Sequence, residues 1–249
     1  MHKKFYLVTL CLVSVIMGRA QAKKTITDVQ QLWVGYFNQT RLTDKFGFWV
    51  DLQLRTKDDF VNDLSVSLNR FGLTYYVTDN TKLTAGYAYI VAYPEDNRKV
   101  SIPEHRPWQQ VQWNTKYGKK RMMQWLRLDE RYRRRLLNDS TLADTYSFNY
   151  KLRYNLFYDI PLSKKGIVPK AFSFVINDEI HINFGKQIVL NTFDQNRFYL
   201  GFKYQLSEHS NVQLGYMNLF QQLAAGNRYR SIHTARLFFF QNLDLRKKK

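Results

Sequence analysis

Apolar and polar residues alternate along most of this 249-residue chain. A period of two puts successive side chains on opposite faces of a β-strand, whereas a helical face repeats every 3.6 residues. The alternation is clearest in 46–56, 147–160, 172–184 and 196–206. Weaker copies lie at 29–38, 64–77, 81–93, 106–116, 121–133, 211–221 and 231–242. The pattern predicts an all-β protein with eleven candidate strands, although in 231–242 Arg236 shares a face with Phe238 and Phe240 and leaves the register open.

The chemistry of the two faces indicates which of them points inward. One face is rich in Phe, Tyr and Leu, and strands of about ten residues cross a bilayer when they tilt by about 45°. In a soluble sandwich or lipocalin-like barrel the apolar face would point inward. Eleven such strands would overfill a small barrel, because about eight strands already enclose an interior that side chains fill. The pattern favours a transmembrane β-barrel with its apolar face outside, and a secreted soluble all-β protein is the alternative.

The connections between the candidate strands agree with a single antiparallel barrel. Short connections at 39–45, 78–80, 117–120, 161–170 and 207–210 alternate with longer ones at 57–63, 94–105, 134–146, 185–195 and 222–230. The 161–170 connection is not short, so this alternation is only approximate. Short turns are typically periplasmic and longer loops extracellular. Bacterial single-chain barrels have even strand numbers, so we expect about twelve strands, with a short additional one in 23–28, or ten.

The first 22 residues have the pattern of a secretory signal peptide. Lys3 and Lys4 precede an apolar run from Phe5 to Met17, and Ala20-Gln21-Ala22 fits a cleavage site. Residues 23–249 are then the barrel domain, without the single cysteine, Cys11. A mean hydropathy of -0.46 with no mature apolar run of about 20 residues excludes a helical membrane bundle. We expect the cell outer membrane as the location, and export argues against nucleic acid as a partner despite the net charge of +18.

Several polar clusters interrupt the alternation, and together they carry a resemblance. They are Arg70 with Gly72, and the segments 85–88, 104–110, 127–131, 177–179, 194–197 and 215–218. In this order they resemble a family of uncharacterised outer-membrane β-barrel proteins of Gram-negative bacteria, catalogued as a domain of unknown function. The resemblance implies an outer-membrane barrel and no established activity. Outer-membrane proteins usually end on an aromatic residue, whereas this chain continues past Phe240 to Lys247–Lys249.

The residues opposite the apolar face predict a polar network in the lumen. Arginine pairs with carboxylates through two parallel hydrogen bonds and can tie facing strands together. Such a network could be structural, or it could line a narrow pore or transporter in which excess arginine favours small anionic solutes. The predicted members are Arg55, Arg70, Arg106, Arg127, Asp129, Arg131, Arg153, Glu179, Gln195 and Arg197.

No motif indicates an enzyme, and we predict no catalytic residues, metal site or cofactor. The nearest approach to a serine hydrolase is Ser231-Ile232-His233, for which the sequence shows no supporting Asp or Asn nearby. A hydrolase acting on lipids or esters is nevertheless the alternative function. Glu179 and His181 share a face, but a His beside a carboxylate is more often structural than a metal ligand.

The remaining basic residues predict contacts with the membrane surface. Arg133, Arg134 and Arg135 would lie at the outer rim, where lipid and lipopolysaccharide phosphates attract cations, or they are simply a solvated charge run. The predicted partners are outer-membrane lipid, lipopolysaccharide, the barrel-assembly machinery and a small solute.

Overall fold

A computed structural model describes residues 23–57 and 59–246, and all regular structure in this part of the chain is β-strand. The signal peptide predicted for residues 1–22 and the Lys247–Lys249 tail lie outside the described residues. Each candidate strand corresponds to an observed strand, so the alternation predicted the elements correctly. The strands are β1 Thr25–Arg41, β2 Phe46–Lys57, β3 Asp63–Tyr76, β4 Thr81–Ala92, β5 Ile102–Tyr117, β6 Lys120–Asn138, β7 Thr141–Pro161, β8 Phe172–Phe184, β9 Phe193–Gln205, β10 Ser210–Gln222 and β11 Arg228–Asp244.

The eleven strands form one closed barrel in sequence order. Consecutive strands pair antiparallel, and β1 closes the ring against β11 in parallel from Thr25↔Arg228 to Arg41↔Asp244. In an up-and-down barrel with an odd number of strands, the first and last strands run the same way, so only a parallel pair can close it. The expectation of twelve or ten strands was therefore wrong. Residues 25–28 are the start of β1 and add no separate strand.

The two ends of the barrel differ from the predicted arrangement of turns and loops. At the end where β1 finishes, called here the Arg41 end, the connections are 42–45, 77–80, 118–119, 162–171 and 206–209. At the opposite Thr25 end, β6 and β7 extend to Asn138 and Thr141 and meet in a two-residue turn. The predicted long loop 134–146 is therefore a strand hairpin. The 162–171 connection is the longest of the Arg41 end, as expected from the sequence, where 161–170 already departs from the rule of short turns.

The barrel is polar inside and apolar outside. On β7, Lys151, Arg153, Asn155 and Asp159 are buried in the interior and alternate with more exposed Leu and Tyr residues. On β9, Phe198, Leu200 and Phe202 face outward and are 44%, 38% and 54% exposed. β11 follows the same rule, because Arg236 and Phe238 are buried while Leu237 is exposed. The soluble alternative requires the opposite orientation, with the apolar face in the core.

Among the described residues, no helix is long and apolar enough to cross a membrane.

Candidate functional site

Glu104 joins two arginines at the Thr25 half of the lumen. The carboxylate of Glu104, on β5, accepts hydrogen bonds from Nε of Arg106 at 2.7 Å and from Nε and Nη2 of Arg131, on β6, at 2.9 and 2.8 Å. Charge-assisted bonds of this kind are stronger than neutral ones. Glu104 thereby ties β5 to β6.

The network continues around the wall through Asp129 and Glu179. Asp129 is fully buried and lies 3.4 Å from Nη1 of Arg106 and 3.3 Å from Nη1 of Arg153. Arg153 also donates from Nε to Glu179 at 2.8 Å, and Arg197 Nη1 lies 3.7 Å from the same carboxylate. Strands β5 to β9 are thus linked through one chain of alternating charges along the inner wall.

A second branch of the network surrounds His181. Its Nε2 lies 2.7 Å from Glu179, and its Nδ1 lies 3.0 Å from the amide of Gln195. Asp194 accepts from Lys151 at 2.5 Å and from Asn183 at 3.0 Å. His181 is therefore held on both ring nitrogens by protein groups, as expected for a structural histidine.

Two further ion pairs lie closer to the Arg41 end. Arg70 donates to Asp51, and both side chains are almost completely buried. Lys203 donates to Asp159, which also has Arg121 Nη2 at 3.6 Å. Each pair joins neighbouring or next-neighbouring strands, so these contacts also resist distortion of the barrel.

Four interior cations have no carboxylate of the described residues within 4 Å. Arg127 donates to Gln110 at 2.8 and 2.6 Å, and Lys82 donates to Gln39. Arg55 lies over the Trp33 ring at 3.6 Å, and Arg236 lies over the Tyr199 ring at 3.3 Å. The quadrupole of an aromatic ring attracts a cation, but it does not cancel the charge. The interior consequently retains an excess of positive charge.

Two of these arginines stack on aromatic rings that lie next to cross-strand pairs of glycines. Gly201 and Gly215 are cross-strand partners, and a Cβ on Gly201 would lie 2.1 Å from the hydroxyl of Tyr199. Gly72 and Gly86 are also partners, and a Cβ on Gly72 would lie 2.8 Å from the ring of Trp108, above which Arg127 lies at 4.6 Å. Because glycine has no Cβ, each ring can lie close to the barrel wall at these positions.

A cavity of about 690 Å³ occupies the Arg41 half of the lumen. Its lining contains seven lysines and arginines, Arg70, Lys82, Arg121, Arg127, Arg153, Arg197 and Arg236, but only three carboxylates, Asp51, Glu179 and Glu208. Residues 167–169 of the β7–β8 connection lie at its mouth. The lining does not include Glu104, Asp129 or Asp194, whereas Arg153, Glu179 and Arg197 of the ion-pair network are part of it.

An unexpected polar cluster lies on the outer wall at the junction of β10, β11 and β1. His233 Nδ1 lies 2.6 Å from the Tyr216 hydroxyl and its Nε2 lies 3.4 Å from Asp28, while Asn218 donates to Ser231 at 3.1 Å. The expectation that no Asp or Asn lies near Ser231 and His233 was therefore wrong. The partners come from neighbouring strands, which the sequence does not place. The hydrogen bonds nevertheless join serine to asparagine and do not join it to histidine.

The predicted rim arginines lie on β6 near the tip of the β6–β7 hairpin. Arg133 and Arg135 are exposed, and Arg134 pairs with Asp144 and donates to the Ala143 carbonyl. Basic residues lie at the opposite end as well. One of them, Arg41, donates a hydrogen bond to Asp79 at 2.7 Å and lowers the pKa of that carboxyl group.

All ten predicted lumen residues lie on the inner face, and nine of them belong to the ion pairs or hydrogen bonds described above, while Arg55 stacks on Trp33. The sequence did not single out Asp51, Glu104, Lys82 or Arg236 for the lumen. Glu104 and Arg236 follow the alternation of their strands and could have been included on that ground. Among the described residues, no group of three or more His, Cys, Asp or Glu side chains could hold a metal ion.

Among the comparisons with known proteins, the comparison with family models is the one that finds a match. A family model described as "Protein of unknown function (DUF2490)" matches residues 30–230. No curated protein and no solved structure matches the chain.

Proposed function

This chain belongs to the DUF2490 family, whose function is unknown, and on that premise we propose that it is an outer-membrane β-barrel whose lumen binds a small anionic solute. In this proposal the ion-pair network keeps the lumen closed, so the protein is a binding barrel or a gated narrow transporter and not an open pore. The observation that carries it is the lumen cavity lined by seven cationic and three anionic side chains.

The membrane location is supported by the outer surface. Exposed apolar side chains lie on the outside of most strands, and monomeric soluble proteins rarely expose large contiguous apolar patches. On β8, the outward Phe172 and Phe184 flank Ile176, Ile180 and Ile182, as in barrels whose aromatic girdles border an apolar band. The outward Asp178 interrupts this face and is hydrogen-bonded by Asn196 at 2.7 Å.

Fractionation of cells and gel electrophoresis test the membrane proposal. We expect the protein in the outer-membrane fraction, and we expect the unheated sample to migrate differently from the boiled one, because a closed barrel resists detergent. Recovery of the protein as a soluble monomer without detergent would refute this part of the proposal.

Planar bilayer recordings test the closed lumen. The wild-type protein should show no sustained open-channel conductance, because in this proposal the arginines paired with Glu104, Asp129 and Glu179 narrow the lumen. A stable, ohmic conductance in the wild-type protein would show that the lumen is continuous. Anion binding is measured separately by isothermal titration of sulfate and of an organic sulfonate into the folded protein in non-ionic detergent, with a cation of similar size as the negative control; binding of neither anion would refute this part of the proposal.

The partners at the rim are part of the same proposal. Arg133 and Arg135 are exposed at the Thr25 end and can contact lipopolysaccharide or lipid phosphates, which attract surface cations by about 1 kcal/mol per residue. Replacing both with Gln should weaken co-purification of lipopolysaccharide. Replacing Lys164 and Lys165, at the opposite end, provides the matched control. Insertion would require the barrel-assembly machinery.

Hydrolysis of lipids or esters is the second candidate, favoured by the outer-wall contact between His233 and Asp28. It is the weaker one, because both nitrogens of His233 are engaged by Tyr216 and Asp28 and neither reaches Ser231. Phospholipid and ester assays on the wild type and on Ser231→Ala decide between the two. Turnover that Ser231→Ala abolishes would overturn the proposal that the protein is not an enzyme.

A further inference from the structure

We infer that the lumen cavity takes an organic anion with a flat apolar body, and not an inorganic anion; this inference rests on the proposed function. The volume supplies the first argument. Pockets of about 300–1,000 Å³ suit drug-sized ligands, and the cavity of 690 Å³ lies within that range. A water molecule occupies about 30 Å³ of liquid, so an inorganic oxyanion would leave most of this space unused.

The wall of the cavity supplies the second argument, because much of it is aromatic. Phe37 and Phe240 stack with ring centroids 4.6 Å apart, and Phe37 also contacts Phe238 at 4.9 Å and Trp49 at 6.4 Å. Further lining comes from Trp125, Phe157, Met123 and Met217. Rings with this geometry favour a flat apolar partner that stacks against them or meets their edges. Sulfate or phosphate alone would gain nothing from this surface.

The position of the uncompensated charge supplies the third argument. Trp125 has Arg127 at 4.7 Å and Arg153 at 5.2 Å from its ring centroid, and Trp108 has Arg127 at 4.6 Å and Arg70 at 5.7 Å. Three guanidinium groups therefore gather around two indole rings at the inner limit of the cavity. Arg70 is paired with Asp51 and Arg153 with Glu179, whereas no carboxylate of the described residues lies within 4 Å of Arg127.

These features determine how the ligand is oriented in the cavity. A buried cation without a counter-charge is costly, and an anionic group beside Arg127 offsets that cost. The head group therefore lies next to Arg127, and the apolar body points toward the Arg41 end between Phe157 and the Phe37–Phe240 wall. Lys82, on the wall nearer the Arg41 end, donates a hydrogen bond to Gln39 and has no carboxylate of the described residues within 4 Å, so it provides a second attraction for an anion that enters from there.

Calorimetric titration of folded protein in non-ionic detergent tests the inference with three probes. They are 2-naphthalenesulfonate, inorganic sulfate and the neutral 2-naphthalenemethanol. We expect 2-naphthalenesulfonate to bind at least tenfold more tightly than either of the others. If sulfate binds as tightly as 2-naphthalenesulfonate, the organic-anion inference fails while anion binding itself survives. If the neutral compound binds as tightly, or if no probe binds, the inference fails as well.

Two variants locate the head group. Arg127→Gln should weaken 2-naphthalenesulfonate binding at least tenfold, and Lys82→Gln should weaken it several-fold. Arg134→Gln, the same kind of change on the outer wall, should leave the affinity unchanged. Heat-modifiable migration reports whether each variant is folded, and if Arg127→Gln does not fold, Lys82→Gln decides. Unchanged affinity in the folded Arg127→Gln and Lys82→Gln variants would refute the assigned position.

Discussion

Replacing Glu104 with Gln removes the carboxylate that holds Arg106 and Arg131 together in the lumen. The substitution keeps the size of the side chain, but it removes the negative charge that faces both guanidinium groups at 2.7–2.9 Å. Breaking a buried ion pair by removing one partner costs about 3–5 kcal/mol, because the remaining charge stays buried. Arg106 keeps Asp129 at 3.4 Å, whereas Arg131 keeps no carboxylate of the described residues within 4 Å. We therefore expect a loss of about 3 kcal/mol in the free energy of unfolding.

Equilibrium unfolding by guanidinium chloride, followed by tryptophan fluorescence in lipid vesicles, measures this loss. Glu95→Gln is the matched control, since Glu95 also pairs with an arginine, Arg230, at 2.6 Å, but its side chain is 41% exposed. Exposed pairs contribute about 0–1 kcal/mol, so the control should remain close to the wild type. If Glu104→Gln costs no more than Glu95→Gln, the interior pairs do not stabilise the barrel and the reasoning is wrong.

Three further predictions concern the wall of the barrel. Gly215→Ala should lower the free energy of unfolding by about 1–3 kcal/mol, because its Cβ would lie 2.3 Å from the Leu200 carbonyl oxygen and 2.9 Å from the ring of Tyr199. Unfolding in guanidinium chloride measures the loss, and wild-type stability would show that the ring of Tyr199 does not need a glycine at this position. Leu200→Arg should cost about 2–4 kcal/mol in vesicles if the outward face of β9 meets lipid at the midplane, and no effect there would contradict a lipid-facing wall. Cysteines in place of Leu32 and Ala235, which are partners in the parallel β1–β11 pair, should form a disulfide that is visible on a non-reducing gel, whereas failure to cross-link would contradict closure by eleven strands.

The positions of the strands were predictable because they depend on local alternation. Phe198, Leu200 and Phe202 share a face by their spacing alone, and the barrel keeps them on its outer surface. The same rule put Arg153 and Glu179 on the inner face. The rule for even strand numbers did not hold, because it generalises from other barrels and nothing in the spacing of residues 23–28 determines how β1 pairs.

The partners of the polar side chains were not predictable. Whether Glu104 meets Arg131, or His233 meets Asp28, depends on the register between two strands and, for Asp28, on a pairing between residues 205 positions apart. The role of the glycines was not predictable either, because Gly201 and Gly215 matter only once the ring of Tyr199 lies against both of them. The long loop expected at 134–146 became a hairpin for a related reason, since the pairing of β6 with β7 continues with bulges where the alternation weakens.

The sequence by itself therefore determined an all-β chain, the course of its strands and the side chains that face inward, because a period of two is a property of each strand alone. Only the tertiary structure decided that eleven strands close through a parallel pair, that paired charges line the Thr25 half of the lumen, and that the Arg41 half keeps a cationic, aromatic cavity. The reason is that closure, ion pairing and cavity shape arise between strands that are distant in the chain, and their geometry is set by register and not by composition.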